Sequence, residues 1–487
     1  NGKDSKVELV NSSLEIQGTQ VAGISVGNQG KAEIVSSQIL AKGKNAKGLH
    51  TWNATVLFNN SEVVSEGVGA WIFSNDIKNN KTNFEMKENS RIYGKEYAMK
   101  ISPNVTGNKV LADISFQKSK VDGGIFTDAK SESHINMKDS YWKMSKDSSV
   151  TKLNLEDSIL HFSPENTEEF HELTIRQNYY GKNALLKMKG KLSDDNSPTD
   201  KLIILGRAGG NTWIDYRNQG GIGAKTHYGI KIIDLFQKEE KNIFQLLKPV
   251  YVGNYEYTLL EGGNDAPDKE DYYLTSTLVS QDGNLYIPLK NRTLALAMPQ
   301  SLNTLALSPT AFMASRTFAL APRREEAKTI RLYRPKTVMR AFLPYLNVEN
   351  NYQNIFHIQD RNRLYFSQET STKNWNDEEI KAKTKSNITK LSYPLYKNFG
   401  TFFTYDENTT QVENKTREYF QKATDIGNIK QRNIHVGLYY QHRLFDFLHL
   451  DHTLQYAWIR NTFHTEEEKE KVYGHGIAFS SEITAPV

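Results

Sequence analysis

Three carboxylates fall within one short stretch, SDDNSPTDKLII: Asp194, Asp195 and Asp200. Their spacing invites a metal site or an acid cluster. A calcium loop of the EF-hand kind needs oxygen ligands at positions 1, 3, 5 and 12, with glycine at 6. Counted from Asp194, Pro198 takes the fifth place and Leu205 the twelfth. Counted from Asp195, Asp200 stands where glycine belongs and Gly206 is twelfth. Both registers fail. A glycosidase needs two carboxylates facing each other across a cleft, which neighbours on one turn rarely supply. A turn accounts for the residues better. Pro198 presets φ for a central turn position, and Asn196, Ser197 and Asp200 are expected to bond local backbone.

Other strings that suggest chemistry also fail. GGIGAKT has Ala224 before Lys225, so it lacks the ending of a phosphate loop, and LGRAGGN lacks the dinucleotide glycine spacing. There is no HExxH or GxSxG, and the 12 histidines are scattered. The absence of cysteine excludes thiol catalysis, cysteine-ligated metals and disulfides. No catalytic, cofactor-binding or metal-binding residue is therefore predicted. The net charge of +5, from 61 basic and 56 acidic residues, is spread along the chain and points to no nucleic-acid partner. No run of 18 apolar residues exists, so no transmembrane helix is expected. The opening NGKDSKVELV already alternates like a strand and has no signal-peptide pattern, so the chain reads as starting inside a longer precursor.

The elements behind these residues are short and repetitive. A polar pair and a serine recur before alternating residues: NSSLEIQG, SSQILAKG, NNSEVVSEG, ENSRIYG, and weaker copies to residue 165. The serines read as one column are Ser13, Ser37, Ser61, Ser90, Ser119, Ser140 and Ser158. Repeats of about 20–30 residues mark a solenoid. Short period-two strands punctuated by Asn, Gly and Ser, with no helical stripe, point to a right-handed parallel β-helix. The serines are expected at turns, bonding local backbone. Trp52, Trp71, Phe73, Tyr141 and Trp142 are candidates for a sugar-binding face, with core filling or scattered surface the favoured reading.

Beyond residue 166 the alternation sharpens in ALLKMKGKL, KLIILG and NTWIDYRN. The run from LLKMKGKLSDDNSPTDKLIILGRAGGNTWIDYRNQGGIGAKTHYGIKIIDLF through VGNYEYTLLEGG to YYLTST resembles the conserved passenger end of autotransporters (type V secretion). By that resemblance, residues 166–300 are a pertactin-like β-helix cap, the autochaperone region, which folds first outside the cell and templates residues 1–165. Residues 301–360 read as a linker and candidate pore helix. YRPKTVMRAFLPYLN and HIQDR are similar to the family's approach to its translocator. Asn350-Asn351 could mimic a self-cleavage pair, but its surroundings match poorly and an ordinary polar helix is preferred.

Residues 361–487 alternate again. Ile434, Val436, Leu438 and Tyr440 oppose His435, Gly437, Tyr439 and Gln441, and Leu450, Leu454, Tyr456 and Trp458 repeat the pattern, with His452 breaking the apolar face. Apolar-out, polar-in strands suit an outer-membrane β-barrel. Length allows about six strands, fewer than the family's complete barrel, so an incomplete antiparallel barrel is expected. TKNWNDEEIKAKTK and HTEEEKEK are expected in loops or turns.

The fold class expected is thus all-β: a parallel β-helix, a linker with a helix, and a partial barrel. The function implied by resemblance is an autotransporter with an adhesin-like passenger and no enzymatic activity. Its expected place is the outer membrane, with the passenger at the bacterial cell surface or secreted. Its expected partners are outer-membrane lipid, the barrel-assembly machinery and host cell-surface or matrix ligands. The alternative is a surface β-helix enzyme that degrades polysaccharide.

Overall fold

The computed structural model describes residues 5–74, 81–104, 108–162, 168–239, 242–263, 266–279, 329–341, 343, 364–376, 379–420, 422–445 and 448–484. The chain forms two compact units, Asn1–Thr277 and Leu278–Val487.

The first unit is the parallel solenoid. Each coil contributes three strands, and strands of one kind stack in register. The first face begins with Lys6–Val10, Lys31–Val35 and Thr55–Asn59. The second begins with Ser13–Gln17, Gln38–Lys42 and Glu62–Ser65, and the third with Ala22–Gly27, Lys47–Trp52 and Val68–Ile72. All of these pairings are parallel. Inward positions line up as side-chain ladders. One runs Leu9, Ile34, Phe58, Met86, Phe116, Met137, Leu155. From Ile34 onward its members are fully buried, each contributing about 1.5–3 kcal/mol of burial.

The turn from first to second face explains the repeated phrase. The residue before each column serine is left-handed: Asn11, Ser36, Asn60, Asn89, Lys118, Asp139 and Asp157 have φ between 46° and 62°. Asn, Asp and Ser tolerate that conformation because their short side chains bond nearby backbone. The serine that follows faces inward and bonds in two directions. Ser37, Ser61, Ser119, Ser140 and Ser158 each donate Oγ–H to the carbonyl two residues back, at 2.7–2.8 Å. Oγ also accepts the backbone N–H of the preceding coil's serine: Ser61 from Ser37 at 3.1 Å, Ser90 from Ser61 at 3.1 Å, Ser158 from Ser140 at 3.0 Å. The column is therefore an inter-coil ladder as well as a local turn. Its first member is Ser12, not Ser13. The Ser12 N–H meets Ser37 Oγ at 3.0 Å, while Ser13 pairs with Gln38 one place further on.

Long strands then run across more than one face, Tyr179–Gly190 across two and Lys201–Asn218 across three. Stacking ends in antiparallel pairs: Val250–Val252 with Tyr255–Glu261, and Tyr272–Thr275 with both Tyr255–Glu261 and Ile230–Lys238.

The second unit holds a six-stranded antiparallel sheet in chain order, from Tyr365–Asn376 to Lys469–Thr484. Its polarity is inverted relative to a water-soluble sheet. Ile434, Val436, Leu438 and Tyr440 are 39%, 42%, 41% and 44% exposed, whereas Gln431, Asn433 and His435 are buried. Leu454 and Trp458 are likewise exposed, and His452 stacks on that face between Tyr440 and Phe479 at 6.4 and 6.0 Å. On the covered face, Asp406 accepts from Asn433 (2.8 Å) and Asn408 (2.9 Å), and His435 Nε2 lies 3.1 Å from its other oxygen.

Of HTEEEKEK, residues 465–468 form the turn before the last strand, whereas His464 ends one strand and Lys469, Glu470 and Lys471 begin the next. TKNWNDEEIKAKTK does not lie wholly in a loop: Lys381, Lys383 and Lys385 are exposed positions of strand Ile380–Tyr396, alternating with covered Ala382 and Thr384. Residues 335–341 are helical, with Val338 and Met339 packed against Ile380, Val412, Ile429 and Phe463. Arg334 and Arg340 of that segment pair with Glu467 and Glu470 at 2.5 Å. The linker 301–328 and the Asn350-Asn351 pair lie outside the described residues.

Ser61→Ala should lower stability by about 1–3 kcal/mol, because it leaves the buried Ser37 N–H without an acceptor. Urea denaturation followed by circular dichroism measures this. A change below about 0.5 kcal/mol, typical of a surface site, would contradict the ladder.

Candidate functional site

The acidic stretch forms the link between strands Tyr179–Gly190 and Lys201–Asn218, and its three carboxylates do three different things. Asp194 makes the turn. Its carbonyl accepts Ser197 N–H (3.1 Å) and Oγ–H (2.6 Å), and its carboxylate accepts Asn196 N–H at 3.1 Å. Asp200 is fully buried, and its carboxylate reaches across the chain. One oxygen accepts the His171 N–H at 2.9 Å and the other the Lys189 N–H at 2.8 Å, across 29 and 11 residues. Asp195 reaches forward to accept three consecutive amides, His227 (2.8 Å), Tyr228 (2.8 Å) and Gly229 (3.2 Å). The turn reading holds for Asp194. The expectation for Asp200 is corrected, because its partners belong to neighbouring chain segments that only stacking brings within reach. Amide bonds to a carboxylate are charge-assisted, each worth about 1.5–3 kcal/mol.

The neighbouring motifs are stitched to this loop. Tyr257, from YEYTLL, donates its hydroxyl to the Ser193 carbonyl (2.7 Å) and accepts the Ala224 N–H (2.9 Å). Burial pushes its phenol up to about 12, so the proton stays on. Tyr216 OH and Thr199 Oγ1 lie 2.5 Å apart in the core. Asn218 Oδ1 accepts Leu192 N–H (2.9 Å) and Gly221 N–H (3.0 Å), which bends the glycine-rich segment. Thr226 and the TST triplet exchange bonds: Thr226 N–H to Ser276 Oγ (3.1 Å), Ser276 N–H to Thr226 Oγ1 (3.0 Å), and Thr277 Oγ1–H to the Thr226 carbonyl (2.6 Å).

Buried Asp271 accepts the Leu235 N–H at 2.7 Å and pairs with Lys231 Nζ at 2.6 Å. Burial pushes its carboxyl up, while Lys231 and the amide pull against that rise. The chemistry available to this arrangement is hydrogen-bond closure of a sheet end. Among the described residues, no three His, Asp or Glu side chains are grouped to hold a metal ion.

The five aromatics divide. Trp142 is core, donating its indole N–H to the Gly123 carbonyl at 2.9 Å. Tyr141 bonds His161 Nδ1 at 2.6 Å on another face. Trp52, Trp71 and Phe73 meet around His50, which sequence reading passed over. His50 and Trp52 lie in strand Lys47–Trp52 and Trp71 in Val68–Ile72, and only the coil-to-coil register shows that they adjoin.

Asp200→Ala strands two buried amides, at about 1–3 kcal/mol each. It should therefore cost the solenoid about 2–6 kcal/mol in urea denaturation, and calcium should leave the melting temperature of the native chain unchanged. A calcium-dependent melting shift would overturn the structural role.

Residues 148–259 match the family Autochaperone Domain Type 1. The uncharacterized protein YdeU of Escherichia coli K12 is 41% identical over 105 residues, 21% of this chain and 22% of that protein. The adhesin BmaC autotransporter of Brucella suis is 36% identical over 122 residues, 24% of this chain and 4% of that protein. The autotransporter adhesin AIDA-I of Escherichia coli is 37% identical over 117 residues, 24% of this chain and 9% of that protein. The match thus spans less than a quarter of these relatives' lengths. A parallel solenoid closed by a hydrogen-bonded antiparallel end, with the autochaperone match lying across that end, is the part of the chain that is similar to autotransporters.

Proposed function

We propose that the solenoid is the end of a surface-exposed, adhesin-like passenger, and that its last coils fold first and template the coils before them. The observation that carries this is the pair of carboxylates Asp195 and Asp200. They tie residues 171, 189 and 227–229 to one loop, so this end adds charge-assisted bonds to the inter-coil pairing that the upstream coils also have. Such an end presents a ready edge on which each upstream strand can pair, with burial and backbone bonding opposing retreat of the chain. The adhesin role draws on the names of BmaC and AIDA-I. Host cell-surface or matrix molecules are then the passenger's ligands.

In the same reading, the six-stranded sheet belongs to a translocator barrel in the outer membrane, with lipid and the barrel-assembly machinery as its partners. Its exposed apolar face and covered polar face support this. So do strands of 16–21 residues such as Phe399–Asn414 and Asp425–Phe445, longer than the roughly 9–11 residues that cross a bilayer.

Two outcomes check these roles. Limited proteolysis of the chain in rising urea should leave a resistant fragment near residues 170–279 after residues 5–150 are cut. A single uniform transition without that fragment would remove the templating role. Leu438→Lys, on the exposed apolar face, should cost about 2–4 kcal/mol near the bilayer midplane. Heat-modifiable gel mobility of membrane fractions should show impaired assembly, and unimpaired assembly would count against the barrel.

A further inference from the structure

The third face of the solenoid carries an aromatic surface that closing the sheet end does not use. Ser25, His50, Trp71, Lys100 and Phe126 are outward neighbours on consecutive coils. Trp52 lies flat over Gly27, where a Cβ would sit 2.0 Å from the indole, so only glycine permits the ring to lie down. Its N–H reaches Asn28 Oδ1 at 3.3 Å. Phe73 is buried beneath, stacked on His50 at 4.0 Å and tilted to Trp52 at 4.9 Å. Trp71 is fixed by its N–H, 3.0 Å from Ser102 Oγ and 3.2 Å from its carbonyl. The rings are thus held in place before any ligand arrives.

Two ammonium groups flank this surface. Lys47 and Lys100 Nζ lie 5.2 and 5.7 Å from the centre of the Trp71 ring. Other lysines of the solenoid pair with carboxylates, for example Lys81 with Asp113 and Lys109 with Glu132, both at 2.6 Å. Neither Lys47 nor Lys100 has a carboxylate within ion-pair distance among the described residues. Burial drives the Lys47 ammonium down, Glu96 opposes that from a distance, and Lys100 adds to it. His50 is held at about 4 by burial, with Lys47 adding, so it supplies a neutral plate and no charge near pH 7. Two like charges share one ring, a setting that favours an anionic ligand beside them.

We propose that this surface binds an acidic carbohydrate. The C–H face of a pyranose packs on the indoles, and its carboxylate sits with Lys47 and Lys100. Flat, fixed rings favour a sugar over a bare anion, and paired ammonium groups favour an acidic sugar over a neutral one. This names a ligand class for the adhesin reading and rests on it.

Calorimetric titration of the whole chain with tetragalacturonate, neutral galactotetraose and sodium sulfate tests the assignment. Tetragalacturonate should bind, with the other two at least tenfold weaker. Lys47→Gln/Lys100→Gln and, separately, Trp52→Leu should each weaken tetragalacturonate at least tenfold with the melting temperature unchanged. Lys201→Gln, elsewhere on the same face, should bind like wild type. Equal binding by the double lysine variant overturns the site. Sulfate binding as tightly as the sugar overturns the carbohydrate assignment. If tetragalacturonate fails but immobilised matrix proteins are bound, the ligand class is wrong and the adhesin reading stands. If no glycan or matrix protein binds, the adhesin reading itself falls.

Discussion

A parallel solenoid satisfies the backbone of each coil only through the coil beside it, so stacking must be brought to a stop somewhere without leaving a bare row of amides and carbonyls. This constraint governs the arrangement of residues 170–277. The chain turns antiparallel there, and Tyr272–Thr275 pairs with strands on both sides. Side chains take up amides along this end: those of residues 227–229 by Asp195, those of His171 and Lys189 by Asp200, that of Leu235 by Asp271. Carboxylates suit the task because each offers two oxygens and several lone pairs.

The upstream coils meet the same requirement more cheaply in sequence terms. A left-handed residue followed by an inward serine serves the local turn and the next coil at once, and it can be repeated with little else held constant. Where the pattern gives way, at Asn183 followed by Ala184, the hydroxyl disappears and the neighbouring coil uses Asn211 Oδ1, which accepts the Asn183 N–H at 3.0 Å. The six-stranded sheet obeys the opposite solvent rule. Its apolar residues point outward and its polar residues are covered, with Asp406, Asn408, Asn433 and His435 satisfying one another. The same period-two alternation therefore carries opposite meanings in the two units. Which face is wet decides the meaning.

Much of this was legible from residue order. The recurring polar–serine phrase marks a solenoid because its turn is local and depends on residues one or two apart. The alternation at 434–441 gives both the strand and its two faces, and the failed ligand spacing at 194–206 removes a metal loop. The errors have one cause. Ser12 and Ser13 are equivalent as adjacent serines until Ser13 is paired with Gln38. Asp200 reads as part of its own turn because its partners, His171 and Lys189, lie 29 and 11 residues away.

The sequence by itself determined the strand period, the turn positions, the all-β class and, through a contiguous run of motifs, the resemblance to the passenger end of autotransporters. Only the tertiary structure decided what the carboxylates hold, which aromatics meet, and which lysines go unpaired. Coil length varies, with partners such as Ser140 and Ser158 18 residues apart and Trp71 and Ser102 31 apart. Lateral neighbours therefore follow from the folded register, because spacing along the chain does not fix which side chains adjoin across coils.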